Sequence, residues 1–482
     1  AGLAVLLLVG GFFGYKYLSP TKQIESIAVM PFVNTNGNED VEYLSDGMTE
    51  TLIKSLSQIP NLNVKPRSSV FRYKGKDSDL QTIAKELNVQ AILNGRVVQR
   101  GDELTLSLEL VDVQKDSVIW TEQYQRKQSD LLALQSEIAN DVLNNLKAKL
   151  SVAEVAKLSK SYTTDPEAYQ LYLKGRYHWN KRTSDDLEKA VINFKSAIEK
   201  DDRFALAYSG LADAYSVLQY YQGSRSAEFI NKATPYAVRA EELDDQLAEA
   251  HSSLAFVNEG SWKWAEAERE YLRALELNPN YSSALLRYAR FEVRVPKRDA
   301  EGLARIKRAV EIEPSSAVIS DNLSQMYLSQ GKVDLALDQA TKTVELDPNF
   351  SFGWIDLAYA QLKKGQTAEA LTSAEKVAEI TKRSSRSLIC LGFVYAATGR
   401  RDEAKAILKE LEQRYSGRQA DAVDVAALHA GLEDKEQVFV WLDKAFADHS
   451  SLLVDLRAEY PFAGLLDDPR MENLRKRMNL PE

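Results

Sequence analysis

The sequence predicts a multidomain chain. A small α/β domain with a mixed sheet precedes an all-α superhelix of stacked helical hairpins, and a truncated transmembrane helix opens the chain. Three observations carry this. Gly331-Lys332-Val333-Asp334-Leu335-Ala336, Gly365-Gln366-Thr367-Ala368-Glu369-Ala370 and Gly399-Arg400-Arg401-Asp402-Glu403-Ala404 begin 34 residues apart. A fixed step of that size marks hairpin units that bury their apolar faces only by stacking. Leu104, Leu106, Leu108 and Leu110 alternate with polar residues, the period of a strand with one wet face. Residues Ala1 to Tyr15 carry no charge.

Taken in order, Ala1 to Tyr15 would span ~22 Å as a helix, short of the ~30 Å hydrocarbon core. The chain begins with Ala, so the simplest expectation is a sequence cut inside or just before a transmembrane helix over residues 1–18. Phe12, Phe13, Tyr15 and Tyr17 would sit at the interface, with Lys16 and Lys22 beyond it. A secretory signal peptide is the rival reading, but no basic start or A-x-A-like cleavage site is present.

The α/β domain is expected over residues 23–150. Ile24 to Phe32 reads as a strand, and Val41 to Gln58 as a helix with Leu44, Met48, Leu52 and Leu56 every four residues. Leu62 to Val64 is a short strand ended by Pro66, and Asp79 caps a helix through Leu87. Ala91 to Gln99, Glu103 to Val111 and Ser117 to Tyr124 are three strands joined by hairpin turns. A helix from Asp130 to Leu150 leads to the repeats.

Helical hairpins then fill residues 165–448 as about eight units. Pro279, Pro314 and Pro348 recur at steps of 35 and 34 residues and mark where second helices stop. Small residues seven apart, such as Ala190 and Ala197, Ala233 and Ala240, Ala267 and Ala274, share one face of each second helix. The second unit is lengthened around Gln222 to Phe229. The fourth replaces the turn glycine with Val295-Pro296-Lys297, and the eighth is weak. Residues 449–482 are expected to cap the array.

With its period, its proline register and steps such as Leu211-Ala212 before Tyr215, this array resembles the tetratricopeptide repeat family. Upstream, "Ser26-Ile27-Ala28-Val29-Met30-Pro31-Phe32", "Glu42-Tyr43-Leu44-Ser45-Asp46-Gly47-Met48-Thr49-Glu50", "Arg72-Tyr73-Lys74-Gly75" and "Gly95-Arg96-Val97" resemble the TolB amino-terminal-like (FlgO-like) domain. The string "Ala168-Tyr169-Gln170-Leu171-Tyr172-Leu173-Lys174-Gly175-Arg176-Tyr177" fits the junction between that domain and such repeats. Membrane helix, TolB-like domain and repeats in that order are similar to the carboxy-terminal half of bacterial membrane-anchored serine/threonine kinases. Similar modules follow adenylate cyclase or winged-helix DNA-binding domains. The resemblance implies a bacterial inner-membrane, single-pass protein. Its soluble part is expected on the periplasmic side, although the positive-inside comparison needs residues upstream of Ala1.

Chemistry is not indicated. No kinase glycine-rich loop, HRD-type loop or DFG-type metal site occurs. The four histidines, His178, His251, His429 and His449, are scattered, so no catalytic residue, cofactor or metal is expected. Cys390, the single cysteine, reads as a small buried hydrophobe. A net charge of -9 argues against nucleic acid as partner.

Binding remains. The family implies that first helices line the inner groove. Alignment on the repeat places Ser209, Asp213, Ser252, Phe256, Leu286, Arg290, Asp321, Gln325, Ile355, Tyr359, Ile389 and Phe393 there as candidate contacts for a protein or extended peptide. The main expectation is thus a non-catalytic interaction and sensor region of a membrane-anchored signalling protein, following a serine/threonine kinase domain. The alternatives are a free-standing membrane-associated scaffold or assembly factor, or the equivalent region of an adenylate cyclase or winged-helix regulator.

Overall fold

A computed structural model describes residues 24–146 and 162–481, apart from 36, 38, 60, 77 and 224. The expected membrane helix over residues 1–18 lies outside the described residues. Among those described, no helix is long and apolar enough to cross a membrane.

The α/β domain is built on β1 (Ser26–Val29), β2 (Val33–Asn34), β3 (Asn63–Val64), β4 (Ala91–Arg100), β5 (Glu103–Asp112) and β6 (Ser117–Lys127). The sheet order is β3-β1-β4-β5-β6, with β2 also on β4. β1 runs parallel to β3 and β4, whereas β4, β5 and β6 are antiparallel. The strand expected over Ile24 to Phe32 is shorter, Ser26–Val29, and a separate two-residue strand starts only at Val33. Pro31 has no N–H to give a ladder, and the Phe32 N–H turns instead to Thr49 Oγ1 at 3.0 Å. Gly95 on β4 makes room for that ring, since a Cβ there would lie 2.3 Å from Phe32 Cδ1.

The helices of this domain are α1 (Glu39–Ser57), α2 (Arg67–Phe71), α3 (Leu80–Leu87) and α4 (Leu131–Asn145). The sequence reading missed α2, a single short turn after Pro66. Asp79 caps α3, accepting from the Gln81 and Thr82 N–H groups at 2.8 and 3.1 Å. Tyr124, opposite Leu106 in the β5–β6 pairing, donates to Asp141 of α4 at 2.6 Å. The leucine face of β5 is therefore the helix-covered one.

Among the described residues, sixteen helices follow as eight antiparallel hairpins. They are α5 (Pro166–Lys181) with α6 (Ser184–Lys200), α7 (Ala205–Leu218) with α8 (Ser226–Leu243), and α9 (Ala248–Gly260) with α10 (Trp264–Leu277). Next come α11 (Ser282–Arg294) with α12 (Asp299–Ile312), α13 (Ala317–Ser329) with α14 (Val333–Leu346), and α15 (Ser351–Lys364) with α16 (Thr367–Ile380). The last two are α17 (Ser385–Ala397) with α18 (Arg401–Ser416), and α19 (Ala422–Gly431) with α20 (Lys435–Ala447). Ala190, Ala197, Ala233, Ala240, Ala267 and Ala274 are fully buried, so the small-residue seams do let helices approach.

Every hairpin turn contains one residue with a left-handed backbone. Gly223, Gly331, Gly365 and Gly399 take it freely, whereas Arg182, Trp262, Lys297 and Glu433 adopt it as non-glycines. The turn without a glycine in the fourth unit thus keeps the same geometry through Lys297 at φ 67°.

Two features depart from an open solenoid. First, the superhelix closes on itself. Tyr221 meets Phe352 edge-on at 5.3 Å, Trp262 stacks on Phe446 at 5.1 Å, and Ser226 Oγ donates to Asp421 Oδ2 at 2.9 Å. Second, residues beyond α20 do more than cap the last hairpin. Two 3₁₀ turns (Ser451–Asp455 and Tyr460–Leu465) and α21 (Pro469–Arg477) cross the concave side. There the Trp264 indole N–H of the third unit donates to the Met478 carbonyl at 2.8 Å.

The Phe194 ring of α6 sits in a slot between Gly175 of α5 and Gly210 of α7. Added Cβ atoms there would lie 2.5 and 2.8 Å from Phe194 Cε1. Gly175→Ala is expected to cost about 1–3 kcal/mol by overpacking. A urea midpoint unchanged from the parent, or no recovery on adding Phe194→Leu, would contradict the slot.

Candidate protein-interaction groove

The α/β domain and the array share one apolar core. Met48, Leu52 and Leu56 of α1 belong to the same buried cluster as Ala168, Tyr169 and Leu173 of α5. Gly47 permits the approach, because a Cβ there would stand 3.0 Å from Leu173 Cδ2. Glu42, Asp46, Glu50 and Lys54 recur every four residues along one side of α1. Lys74 bridges Glu42 and Asp46, and Lys54 pairs with Glu249 of α9. Glu50 accepts from Arg176 Nε and Nη2 at 3.0 and 2.7 Å and from Asn180 Nδ2 at 2.7 Å. Burial alone would raise the Glu50 carboxyl, but Arg176 and Arg67 outweigh it and hold it below its usual range. Motifs far apart in sequence thus meet as a clamp between the two folds.

Arg176→Ala removes the clamp's partly exposed centre, at an expected cost of about 1–2 kcal/mol. The α/β domain should then unfold in a denaturant transition of its own, ahead of the array. Coincident transitions for tryptophan fluorescence and helix content in the variant would contradict a coupling role.

The twelve groove candidates fall into two groups, and none is fully exposed. Ser209, Asp213, Ser252 and Phe256 are buried against neighbouring units. Ser209 Oγ lies 2.8 Å from Ser253 Oγ, and Arg287 donates to Asp213 Oδ1 at 2.8 Å and to Ser252 Oγ at 3.2 Å. The Arg287 guanidinium lies 5.2 Å from the Phe256 ring centre. Leu286, Arg290, Asp321, Gln325, Ile355, Tyr359, Ile389 and Phe393 lie along the later first helices. Several of these contact the chain's own tail.

Asp455 is the hub of that contact. It accepts from Arg290 Nη2 and Arg294 Nε, each at 3.0 Å, and from the Tyr220 hydroxyl at 3.3 Å. Arg457 makes a two-pronged pair with Asp299 at 2.8 and 2.6 Å, and Arg386 pairs with Glu459. The Tyr460 ring stacks on Tyr359 at 4.9 Å and meets Phe393 edge-on at 5.6 Å. Phe462 and Pro461 close a small space with Ile389, Val423 and Arg386.

Sequence reasoning missed Arg287, Arg294, Asp356, Arg386, Asp455, Glu459 and Tyr460. One signal was available: Arg287, Arg290 and Arg294 lie at i, i+3 and i+7, a basic stripe on a helix that is otherwise largely apolar.

Other candidates have internal partners. His251 Nδ1 lies 2.6 Å from Glu270 Oε2 and its Nε2 lies 2.9 Å from the Asp245 carbonyl. Cys390 is fully buried, which pushes its thiol up. Among the described residues, no group of three His, Cys, Asp or Glu could hold a metal ion.

This geometry defines an α/β domain joined to a tetratricopeptide array, and the comparisons agree. Residues 22–141 match the family model for the HilA/YgeH-like transcriptional regulator, second domain, and residues 340–372 match a tetratricopeptide repeat model. The α/β match therefore carries a different family label from the TolB-like module that the motifs resemble. A Rhizobium meliloti (strain 1021) protein named "Putative adenylate cyclase 3" is 35% identical over 151 residues, 31% of this chain and 26% of that protein. The chain thus aligns with about a quarter of this curated relative's length. Solved structures with similar helical arrays include Pseudomonas aeruginosa pilF, at 24% identity and TM-score 0.35 over 45% of this chain and 94% of that one. YrrB, described as a repeat protein with an unusual peptide-binding site, gives 21% identity and TM-score 0.27 over 40% and 95%.

Proposed function

We propose that this chain is the non-catalytic interaction and sensing region of a bacterial signalling protein, with an output of the adenylate cyclase or HilA-like regulator kind. The observation that carries the reading is the 35% identity over 151 residues to a protein named as an adenylate cyclase. The match of residues 22–141 to a domain of transcriptional regulators supports it from a second direction. Both favour these outputs over the serine/threonine kinase suggested by domain order alone.

The array offers surface for protein or peptide partners, and the shared core ties any load on it to the α/β domain. Residues 1–18 tether the assembly to the bacterial inner membrane, with the soluble part on the periplasmic side.

Two measurements test this. The purified chain with ATP and Mg²⁺ should yield neither cyclic AMP nor phosphoprotein; either product would place an activity inside it. In the host, deleting codons 24–481 should change the cyclic AMP level or the transcript set controlled by the intact gene. An unchanged output would sink the signalling reading.

A further inference from the structure

The concave face already holds a segment of the chain's own tail, wound into two 3₁₀ turns, and side chains dominate the recognition. Read along the tail, Asp455-Leu456-Arg457-Ala458-Glu459-Tyr460 alternates acid, base and acid before an aromatic ring. Each charge meets its opposite on a different part of the array. Asp455 takes Arg290 and Arg294 of α11, Arg457 takes Asp299 at the start of α12, and Glu459 takes Arg386 of α17. Tyr460 then enters the aromatic site made by Tyr359 of α15 and Phe393 of α17. The track spans the fourth to seventh units. Arg457 to Tyr460 stay partly open to solvent, whereas Leu452, Leu453, Val454 and Leu456 on one side and Phe462 and Leu465 on the other are buried anchors.

The fit is incomplete beneath Glu459. Asp321 and Asp356 are more than nine-tenths buried on α13 and α15, where their carboxyls meet each other in place of a basic partner. The resident segment brings a further carboxylate, Glu459, toward this acidic pair, which makes it an imperfect occupant.

We propose that residues 451–465 are an internal ligand of the groove. They hold it closed against a protein partner that presents the same chemistry, an acid-x-base-x-acid-aromatic segment, and the two exclude each other. This rests on the interaction reading above and gives it a ligand class. Such a partner binds only the fraction of molecules whose groove is open, so its apparent affinity falls by that fraction. Weakening only the partly open contacts of Arg457, Glu459 and Tyr460 removes that penalty and leaves the buried Asp455 network in place.

The probe is a labelled synthetic peptide of residues 451–465, titrated into the whole chain. The wild type should bind weakly. A variant carrying Arg457→Gln, Glu459→Gln and Tyr460→Ala keeps the Asp455 network and the apolar anchors and should bind at least about tenfold tighter. Adding Arg386→Glu should remove that gain, and a peptide with Glu459→Arg should restore it. A folded triple variant that binds no peptide, or binding indifferent to Arg386, overturns the proposal.

Should the triple variant fail to fold, hydrogen exchange on the wild type decides. The Ala458 and Glu459 amides, bonded to the Asp455 carbonyl at 2.8 and 3.0 Å, should exchange well before the amides of α13 and α15. Equal protection would mark the tail as permanent core and overturn the proposal. The two readings fail separately: unchanged signalling with a bound peptide sinks the signalling role alone, and altered signalling with an unbound peptide sinks the internal ligand alone.

Discussion

Asp455→Ala is expected to destabilise the array by about 3–5 kcal/mol, because it leaves buried arginines without their carboxylate. Arg294 is 2% exposed at its side chain and Asp455 5%. Neither Arg290 nor Arg294 can shed its charge to escape the loss. Arg294 retains Glu259, which also accepts from the Tyr271 hydroxyl at 2.8 Å, so the network is strained without vanishing. The check is the urea midpoint followed by helix content. Adding Arg294→Met should recover part of the loss, since an apolar replacement removes the stranded charge. A change below about 1 kcal/mol would mean that the site behaves like a surface pair.

The same group sets an acid limit. Burial would raise the Asp455 carboxyl, but Arg294 and Arg290 outweigh it and hold it at about 2, below its usual value near 3.8. A depressed carboxyl contributes stability that is fully present above the unfolded value and is lost as pH falls through the folded one. The contribution should therefore disappear between about pH 4 and pH 2.

The array was legible because each hairpin repeats the physics of the last. The proline register, the alanine seams and the glycine turns are local signals, and stacking needs only the neighbouring unit. Four turns were harder to see, because Arg182, Trp262, Lys297 and Glu433 carry a backbone that glycine would have announced. The strand alternation in β5 and the aspartate cap at Asp79 were equally local. What sequence could not show were contacts across long separations. Asp455 lies 161 residues from Arg294, and Ser226 lies 195 residues from Asp421. Neither pair belongs to a period, so nothing in the repeat foretells that the superhelix closes or that its tail lies inside it. The twelve groove candidates lie on first helices, but their surroundings depend on these distant partners. Glu50 and Arg176 tell the same story: both sit in motifs visible in the sequence, while their pairing depends on how two folds meet.

Asp321→Asn should stabilise the protein by about 2–4 kcal/mol at pH 8 and have little effect near pH 4. Asp321 and Asp356 face each other from α13 and α15, at the floor of the groove below the Arg386–Glu459 pair. Burial raises Asp321 to about 7. Asp356 is raised well above its usual range too, through burial and then the charges of Asp321 and Glu459, which Arg386 offsets only in part. Arg290 also lowers Asp321, and Tyr359 stands near Asp356 and Arg386. Two carboxyls so placed share a proton, as one must donate for the other to accept. A carboxyl raised in the folded state stabilises it fully below the unfolded value near 3.8. That contribution is lost as pH climbs through the folded value, so the fold is progressively penalised between about pH 4 and pH 7. Asparagine keeps the shape of the protonated acid, stays neutral, and offers Asp356 an N–H at any pH. The measurement is urea unfolding of parent and variant at pH 4 and pH 8. An equal effect at both, or a loss at pH 8, would rule out a shared proton. In the variant the Glu459 carboxylate faces one fewer acid, so the tail should also be held more firmly. Slower exchange of the Ala458 and Glu459 amides at pH 8 would link the buried pair to groove closure.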